Sequence, residues 1–225
     1  MQRHLRSPRP ALALAVLAAL ALPAGAQDRV DARAAWRPGA GFMPAVRSHC
    51  ANAEPGRYGE CLIAQMAEAG AGAPAVSFST RLLAASGQTG IARDVRAAGR
   101  IAIAYVFYPL RANENLGWLL VGADGAWVDV DDPEQRPWEG LAHDATYRAL
   151  LQAHPRLALF PGDRAGTREP RVEPLPDGGQ RAVVRYRLTD GCHACALLGT
   201  ASVGFDFDAD GQFAGPTLLG VEATR

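Results

Sequence analysis

The chain opens with the three-part pattern of a cleavable signal peptide, which decides the environment in which the rest of the chain folds. Three arginines among the first nine residues precede an unbroken run of Ala, Leu and Val at residues 11–22. This run has about 12 residues, fewer than the roughly 20 that span a bilayer, and small residues after it favour cleavage following Ala26. We therefore expect residues 1–26 to be removed, and a periplasmic or secreted protein without stable membrane insertion.

Export also decides how the cysteines are interpreted, because paired cysteines in an oxidising compartment usually form disulfides. The chain contains four cysteines, Cys50, Cys61, Cys192 and Cys195. Three connectivities are compatible with this number. The most economical one joins Cys50 to Cys61 and Cys192 to Cys195, so the sequence predicts a fold stabilised by these two disulfides.

The composition of residues 27–225 indicates one globular domain, with a subdivision near residues 131–140 left open. Apolar residues make up 48% of the chain, enough to fill a substantial core. All 23 basic residues are arginines; three fall in the leader, so 20 remain against 23 carboxylates, a formal charge of −3. This balance argues against nucleic acid as a partner.

The absence of lysine excludes several classes of enzyme. A phosphate-binding P-loop, a Schiff-base or pyridoxal enzyme and a serine-lysine acylase all require a lysine. The sequence also lacks the GxSxG, HExxH and GxGxxG motifs of hydrolases, zinc proteases and dinucleotide-binding proteins. We therefore expect no cofactor, and favour a protein that is not an enzyme.

The first half of the chain has mostly helical periodicity. Residues 27–57 have no clear period and predict an irregular arm on the core. Leu62, Met66 and Ala69 recur at helical spacing from Tyr58 onward. A second helix is predicted over residues 75–85 with inward-facing Val76, Phe78, Leu82 and Leu83, and a short third helix over Ile91–Ala98.

The period changes at residue 101, where a buried strand is predicted over residues 101–108. Residues 118–122 and 126–130 flank an Asp-Gly pair typical of a hairpin, so these three strands predict an antiparallel meander. After a charged connector at residues 131–140, Asp144 begins a helix. Its predicted buried side chains are Tyr147, Leu150 and Leu151.

Strands dominate the rest of the chain. Residues 160–180 predict a loop with one short edge strand, and alternation predicts strands over residues 181–188 and 199–207. An Asp-rich turn at residues 208–211 leads into a last strand. The fold class expected is α+β: a mostly antiparallel sheet with N-terminal helices and one central helix, stabilised by disulfides.

The tight turn Cys192-His193-Ala194-Cys195 has three interpretations. The pair can be a structural disulfide, or a thiol–disulfide redox centre in which a histidine lowers the pKa of a thiol. The turn can also bind zinc or copper, with Cys50, Cys61 or His49 completing the site. Covalent haem is excluded, because Ala196 stands where the motif requires histidine.

Polar clusters elsewhere offer weaker candidates. An arginine, two amides and an aromatic residue form a candidate ligand rim after the first strand: Arg111, Asn113, Asn115 and Trp118. Four carboxylates at the end of the third strand are typical of a solvated strand end, although two of them facing one cleft could do acid–base chemistry: Asp129, Asp131, Asp132 and Glu134. The Asp206, Asp208 and Asp210 series begins like a calcium loop, but Thr217 stands where the chelating carboxylate belongs.

These observations predict an exported binding or accessory protein whose ligand, a protein or a small molecule, is not identified by the sequence. The alternative is a redox or metal-binding protein that uses the turn containing Cys192, His193 and Cys195.

Overall fold

A computed structural model describes residues 30–54, 56–111, 115–162 and 169–224. Within these residues it contains five α-helices and nine β-strands. The helices are α1 (Phe42–His49), α2 (Tyr58–Glu68), α3 (Ala73–Ser86), α4 (Trp138–His143) and α5 (Ala145–Ala153). The strands are β1 (Ile91–Ala98), β2 (Ile101–Phe107), β3 (Leu116–Val121), β4 (Trp127–Asp129), β5 (Leu157–Pro161), β6 (Arg171–Pro174), β7 (Gln180–Asp190), β8 (Leu197–Phe207) and β9 (Phe213–Ala223).

The strands form two antiparallel sheets. The first is a meander with the order β1-β2-β3-β4, which contains the three predicted strands and adds β1. The second has the order β5-β7-β8-β9. On one edge of β7, β5 pairs with residues 186–190 and β6 pairs with residues 180–183. The α+β class with a mostly antiparallel arrangement is therefore confirmed.

The two sheets pack face to face over a shared core. Ile101, Ile103 and Leu120 of the first sheet meet Val184, Phe205 and other inward-facing residues of the second. Polar bridges join the layers as well. The buried Tyr186 hydroxyl donates to the Val130 carbonyl at 2.5 Å, and the Gln180 side-chain amide donates to the Ala98 carbonyl at 2.7 Å.

Helices cover the opposite face of the first sheet. Phe78 and Leu82 of α3 pack against Ala104, Val106 and Leu119, the residues that alternate with those facing the second sheet. This explains why β2 reads as a continuous apolar run: both of its faces are buried. Helices α1 and α2 form an adjoining cluster with Ile91.

Both predicted disulfides are present. Cys50 is bonded to Cys61 with a Cα–Cα distance of 5.9 Å, and Cys192 to Cys195 with 5.0 Å. No helix among the described residues is long and apolar enough to cross a membrane. The predicted signal peptide lies outside the described residues.

The predicted third helix over Ile91–Ala98 is wrong, since this segment is the strand β1. Its buried residues are Ile91, Ala92, Val95 and Ala98. A β-bulge between Ala92 and Asp94 inserts an extra residue, which shifts the inward-facing positions and produces a spacing that resembles a helix.

Other local predictions need correction. The arm at residues 27–57 contains the helix α1, and the connector at residues 131–140 contains the start of α4. The strand β5 was not predicted. At the start of α5, the Asp144 side chain accepts the expected N-cap hydrogen bond from the Tyr147 backbone at 2.8 Å. Of the two leucines predicted to be buried, Leu150 packs against the core and Leu151 is exposed. Ala69 follows the end of α2 and is also exposed.

Candidate functional site

A groove of about 830 Å³ opens between the C-terminal end of α3, the strands β3 and β4, and residues 131–135. Its lining includes the apolar side chains of Leu82, Leu119 and Trp127. It also includes four carboxylates. These are Asp129, Asp131, Asp132 and Glu134, the cluster that the sequence places after the third strand.

Arg111 lies at the base of this groove. Its guanidinium lies over the Tyr108 ring, 3.6 Å from the centroid, and donates to the Gln88 side-chain oxygen at 2.7 and 2.9 Å. It also donates to Asp129 at 2.5 Å and to Asp131 at 3.4 Å. The Arg111 and Asp129 side chains are only 18% and 16% exposed. Arg111 is therefore held in place, and its hydrogen bonds connect the segment after β2 to Gln88 and to the segment that contains Asp129 and Asp131.

The charges in the groove are not balanced. Burial, and next the negative charge of Asp129, raise the pKa of Asp131, while Arg111 and Arg136 oppose this shift. Burial, followed by the charge of Asp129, raises the pKa of Tyr108 so far that its phenol stays neutral. Asp129 and Asp131 share the cation Arg111, and the Arg136 guanidinium lies 3.9 Å from Asp131. Among the described residues no ion pair involves Asp132 or Glu134, so the groove keeps a net negative charge.

The predicted ligand rim is only partly assembled. Arg111 lines the groove, but Trp118 lies on the opposite face of β3, against Tyr105 with ring centroids 4.6 Å apart. Adjacent residues of a strand point to opposite faces, which places Leu119 in the groove instead. Asn115 closes the loop by donating to the Arg111 carbonyl at 3.3 Å. Asn113 lies outside the described residues.

Sequence reasoning did not identify the apolar side chains of the groove or Gln88. Trp127 offers the only sequence signal, because it alternates with Asp129 on β4 and therefore shares its face. Leu82 and Gln88 come from a helix and a loop far from Asp129 along the chain. Only the packing of α3 on the first sheet brings them to the groove.

The Cys192–Cys195 turn lies at the hairpin between β7 and β8. Cys192 is exposed and Cys195 is half-buried. The Thr189 hydroxyl donates to the Cys192 carbonyl at 2.8 Å, and the Cys195 backbone N–H donates to the same oxygen at 3.0 Å. A strand, not a helix, follows at Leu197, so no helix N-terminus faces the sulfurs.

His193 projects from this turn onto β5. Its ring meets the Phe160 ring edge-to-face, with centroids 5.1 Å apart. Desolvation, and next the positive charge of Arg187, lower the pKa of His193, and Asp131 opposes this. His193 and Asp131 are therefore close enough for their charges to interact.

The Cys50–Cys61 disulfide has a different setting. It joins the end of α1 to the first turn of α2, and Cys50 is 1% exposed. His49 is exposed, with its Nδ1 2.8 Å from the Ala45 carbonyl. In the part of the chain that the structure describes, no three His, Cys, Asp or Glu side chains come together as metal ligands.

The remaining acidic candidate has local partners. Asp206 accepts two hydrogen bonds from Arg181, at 2.5 and 2.7 Å, and one from the Thr217 hydroxyl at 2.9 Å. The bonds from Arg181 lower the pKa of Asp206. Asp208 accepts from the Asp210 and Gln212 backbones, as in an ordinary Asp-rich turn.

Comparison with known proteins identifies no relative: no family model matches the chain, and neither does any curated protein or solved structure. The functional argument therefore depends on the chemistry of the groove and the turn.

Proposed function

We propose that this is an exported binding protein that takes a positively charged ligand with an apolar part into the groove beside Asp132 and Glu134. The observation that carries the proposal is the excess of carboxylates beside apolar side chains in one groove. Four carboxylates line it, of which only Asp129 and Asp131 accept hydrogen bonds from Arg111, and Trp127 is among the apolar lining residues.

The four carboxylates of the groove support a positive charge on the ligand. Arg111 uses its donors on Gln88, Asp129 and Asp131, so it is not free to bind an anion. The side chain of Asp132 accepts only the backbone N–H of Glu134, at 2.9 Å, among the bonds described. A cation beside Asp132 and Glu134 would reduce the repulsion between these carboxylates.

The apolar lining residues support an organic ligand over a bare metal ion. The Trp127 ring meets the Phe78 ring at 5.0 Å between centroids, and the Arg81 guanidinium lies over the Trp127 ring, 5.4 Å from its centroid. An aromatic side chain beside carboxylates suits amine and guanidinium groups that carry carbon substituents. Acid–base catalysis by Asp129 and Asp131 is less well supported, because both carboxylates already accept hydrogen bonds from Arg111.

Export rests on the leader at residues 1–26 and is supported by the two disulfides. Cell fractionation with mass spectrometry of the N-terminus tests it directly. We expect the mature chain to begin at Gln27 outside the cytoplasm, and a cytoplasmic chain that starts at Met1 would contradict export.

Binding is tested by calorimetric titration of spermidine, agmatine and arginine at low salt, with glutamate and glucose as comparison ligands. The informative variant is Asp132→Asn/Glu134→Gln, which removes two charges from the groove and keeps the side-chain shapes. The loss of two exposed ion pairs between these carboxylates and the ligand cation should raise the Kd by about tenfold.

The matched control is Asp210→Asn/Glu222→Gln, which makes the same chemical changes on exposed residues of the second sheet. It should bind the cations as the unmodified protein does. Failure of all three cations to bind, or an equal loss in both double variants, would overturn the proposal.

A further inference from the structure

The two disulfides differ in access to solvent. Cys50 is 1% exposed within the cluster formed by α1, α2 and Ile91, and its partner Cys61 is half-buried. Neither cysteine of this pair is as accessible to a dissolved reductant as Cys192. Cys192 is exposed at the tip of a hairpin, and its partner Cys195 is half-buried. A dissolved thiol can therefore approach one sulfur of the second disulfide in the folded protein.

The hairpin turn does not depend on its disulfide alone. The Cys192 carbonyl accepts hydrogen bonds from the Thr189 hydroxyl and the Cys195 backbone, at 2.8 and 3.0 Å. One step further from the tip, the Asp190 N–H donates to the Ala196 carbonyl at 3.2 Å. These bonds join both sides of the turn without involving sulfur, so the two thiols stay near each other after reduction.

The side chain between the two cysteines is also held in place. The His193 ring packs edge-to-face on Phe160, 5.1 Å between centroids, and it lies within electrostatic reach of Arg187 and Asp131. This contact anchors the tip of the turn to β5 independently of the disulfide. The turn therefore has an exposed sulfur, a sheltered sulfur and a scaffold that survives opening of the bond.

We propose that the Cys192–Cys195 disulfide is a site of reversible thiol–disulfide exchange with a dithiol reductant, while Cys50–Cys61 stays closed. A thiolate of the reductant attacks Cys192 Sγ and forms a mixed disulfide. The electron pair of the broken bond goes to Cys195 Sγ, which takes a proton from water. The second thiolate of the reductant then displaces Cys192, which is protonated in turn. Two electrons and two protons move to this protein, and the reductant becomes a disulfide.

The first test uses the full folded chain with dithiothreitol as the dithiol. Samples are alkylated at increasing times, and peptide mass spectrometry follows each cysteine. We expect Cys192 and Cys195 to become alkylated at least about tenfold faster than Cys50 and Cys61. Glutathione disulfide added afterwards should restore the Cys192–Cys195 bond, with an unchanged circular dichroism spectrum throughout. Equal rates for both pairs, or reduction only on unfolding, would overturn the proposal.

The second test identifies the attacked sulfur and uses single variants, each with one free thiol in the turn. Cys195→Ser leaves Cys192, and Cys192→Ser leaves Cys195 in the same hairpin. With glutathione disulfide, the Cys192 thiol should form a mixed disulfide at least about tenfold faster than the Cys195 thiol. Equal rates, or a faster Cys195, would contradict the assigned direction of attack. Neither test involves the groove, so its result is independent of cation binding.

Discussion

The Cys50–Cys61 and Cys192–Cys195 disulfides are chemically alike but differ in their exposure to solvent. The first joins two helices inside a buried cluster, with its cysteines 11 positions apart. The second closes a turn at the tip of an exposed hairpin, with its cysteines three positions apart. The comparison shows that an oxidising environment alone would not assign a role to a cysteine pair, because burial and loop length also decide what the bond does.

Loop length favours Cys50–Cys61 as the structural bond. In the chain-entropy model, a closed loop of its size stabilises a protein by about 3 kcal/mol, whereas the turn at Cys192 gains about 2 kcal/mol. Hydrogen bonds already constrain the turn at Cys192, so its disulfide should stabilise the fold still less. Cys50 also fills part of the core, and the half-buried Cys61 packs against it.

The largest effect is therefore expected from removal of the buried bond. Cys50→Ala/Cys61→Ala loses the loop constraint and leaves a small cavity, so the free energy of unfolding should fall by about 4 kcal/mol. Urea denaturation followed by circular dichroism measures this change.

The matched control is Cys192→Ala/Cys195→Ala, which makes the same substitutions in the hairpin. Its free energy of unfolding should fall by about 2 kcal/mol or less. If the hairpin pair costs as much as the buried pair, the distinction between a structural bond and an exchangeable bond is wrong.

A smaller effect is expected from the hydrogen bond that holds the exposed turn. Thr189→Val removes the hydroxyl that donates to the Cys192 carbonyl, and should lower the free energy of unfolding by about 1 kcal/mol. It should also speed reduction of Cys192–Cys195 by dithiothreitol and leave Cys50–Cys61 unchanged.

Thr200→Val is the control for this variant, since Thr200 lies on β8 and contacts only Arg185 among the described side-chain hydrogen bonds. Its free energy of unfolding and its rate of reduction at Cys192–Cys195 should stay near those of the unmodified protein. If Thr189→Val does not alter the reduction rate, the hydroxyl does not help to hold the turn.

Local features of the fold were predictable from the sequence. Both disulfides join cysteines close along the chain, and the Asp144 cap and the hairpin at residues 123–125 depend on neighbouring residues only. The strand β1 was mispredicted because its bulge at Ala92 and Asp94 gives a helix-like spacing to buried residues. No local rule distinguishes that spacing from an amphipathic helix.

The groove was less predictable because its parts are distant along the chain. The sequence identified Arg111 and the carboxylates near Asp129 as separate clusters. The contact between Arg111 and Asp129 depends on strand pairing in the first sheet, and the position of Leu82 depends on how α3 packs on that sheet. Trp118 was assigned to the rim by proximity in sequence, although strand alternation places its side chain on the other face.

The smallest effect concerns the charge of the exposed turn. Desolvation, with Arg187, lowers the pKa of His193 below its ordinary value of about 6.5, so just below that pH the unfolded chain binds more protons than the folded protein. The free energy of unfolding should therefore rise with pH through the window below about 6.5, and this contribution should be constant above it. No such dependence is expected from the Cys50–Cys61 bond, because disulfide sulfurs do not titrate.

An NMR titration of the His193 ring should give a midpoint below about 6.5. In urea denaturation at about pH 5 and about pH 7.5, His193→Gln should have a smaller difference in stability than the unmodified protein. His154→Gln, which removes the histidine 3.9 Å from Asp190, controls for loss of an imidazole near the same hairpin. A His193 midpoint above 6.5 would mean that Asp131 outweighs burial and Arg187. The charge of His193 would then depend more on Asp131 than on burial. The two disulfides would differ in the charge of their surroundings as well as in their exposure to solvent.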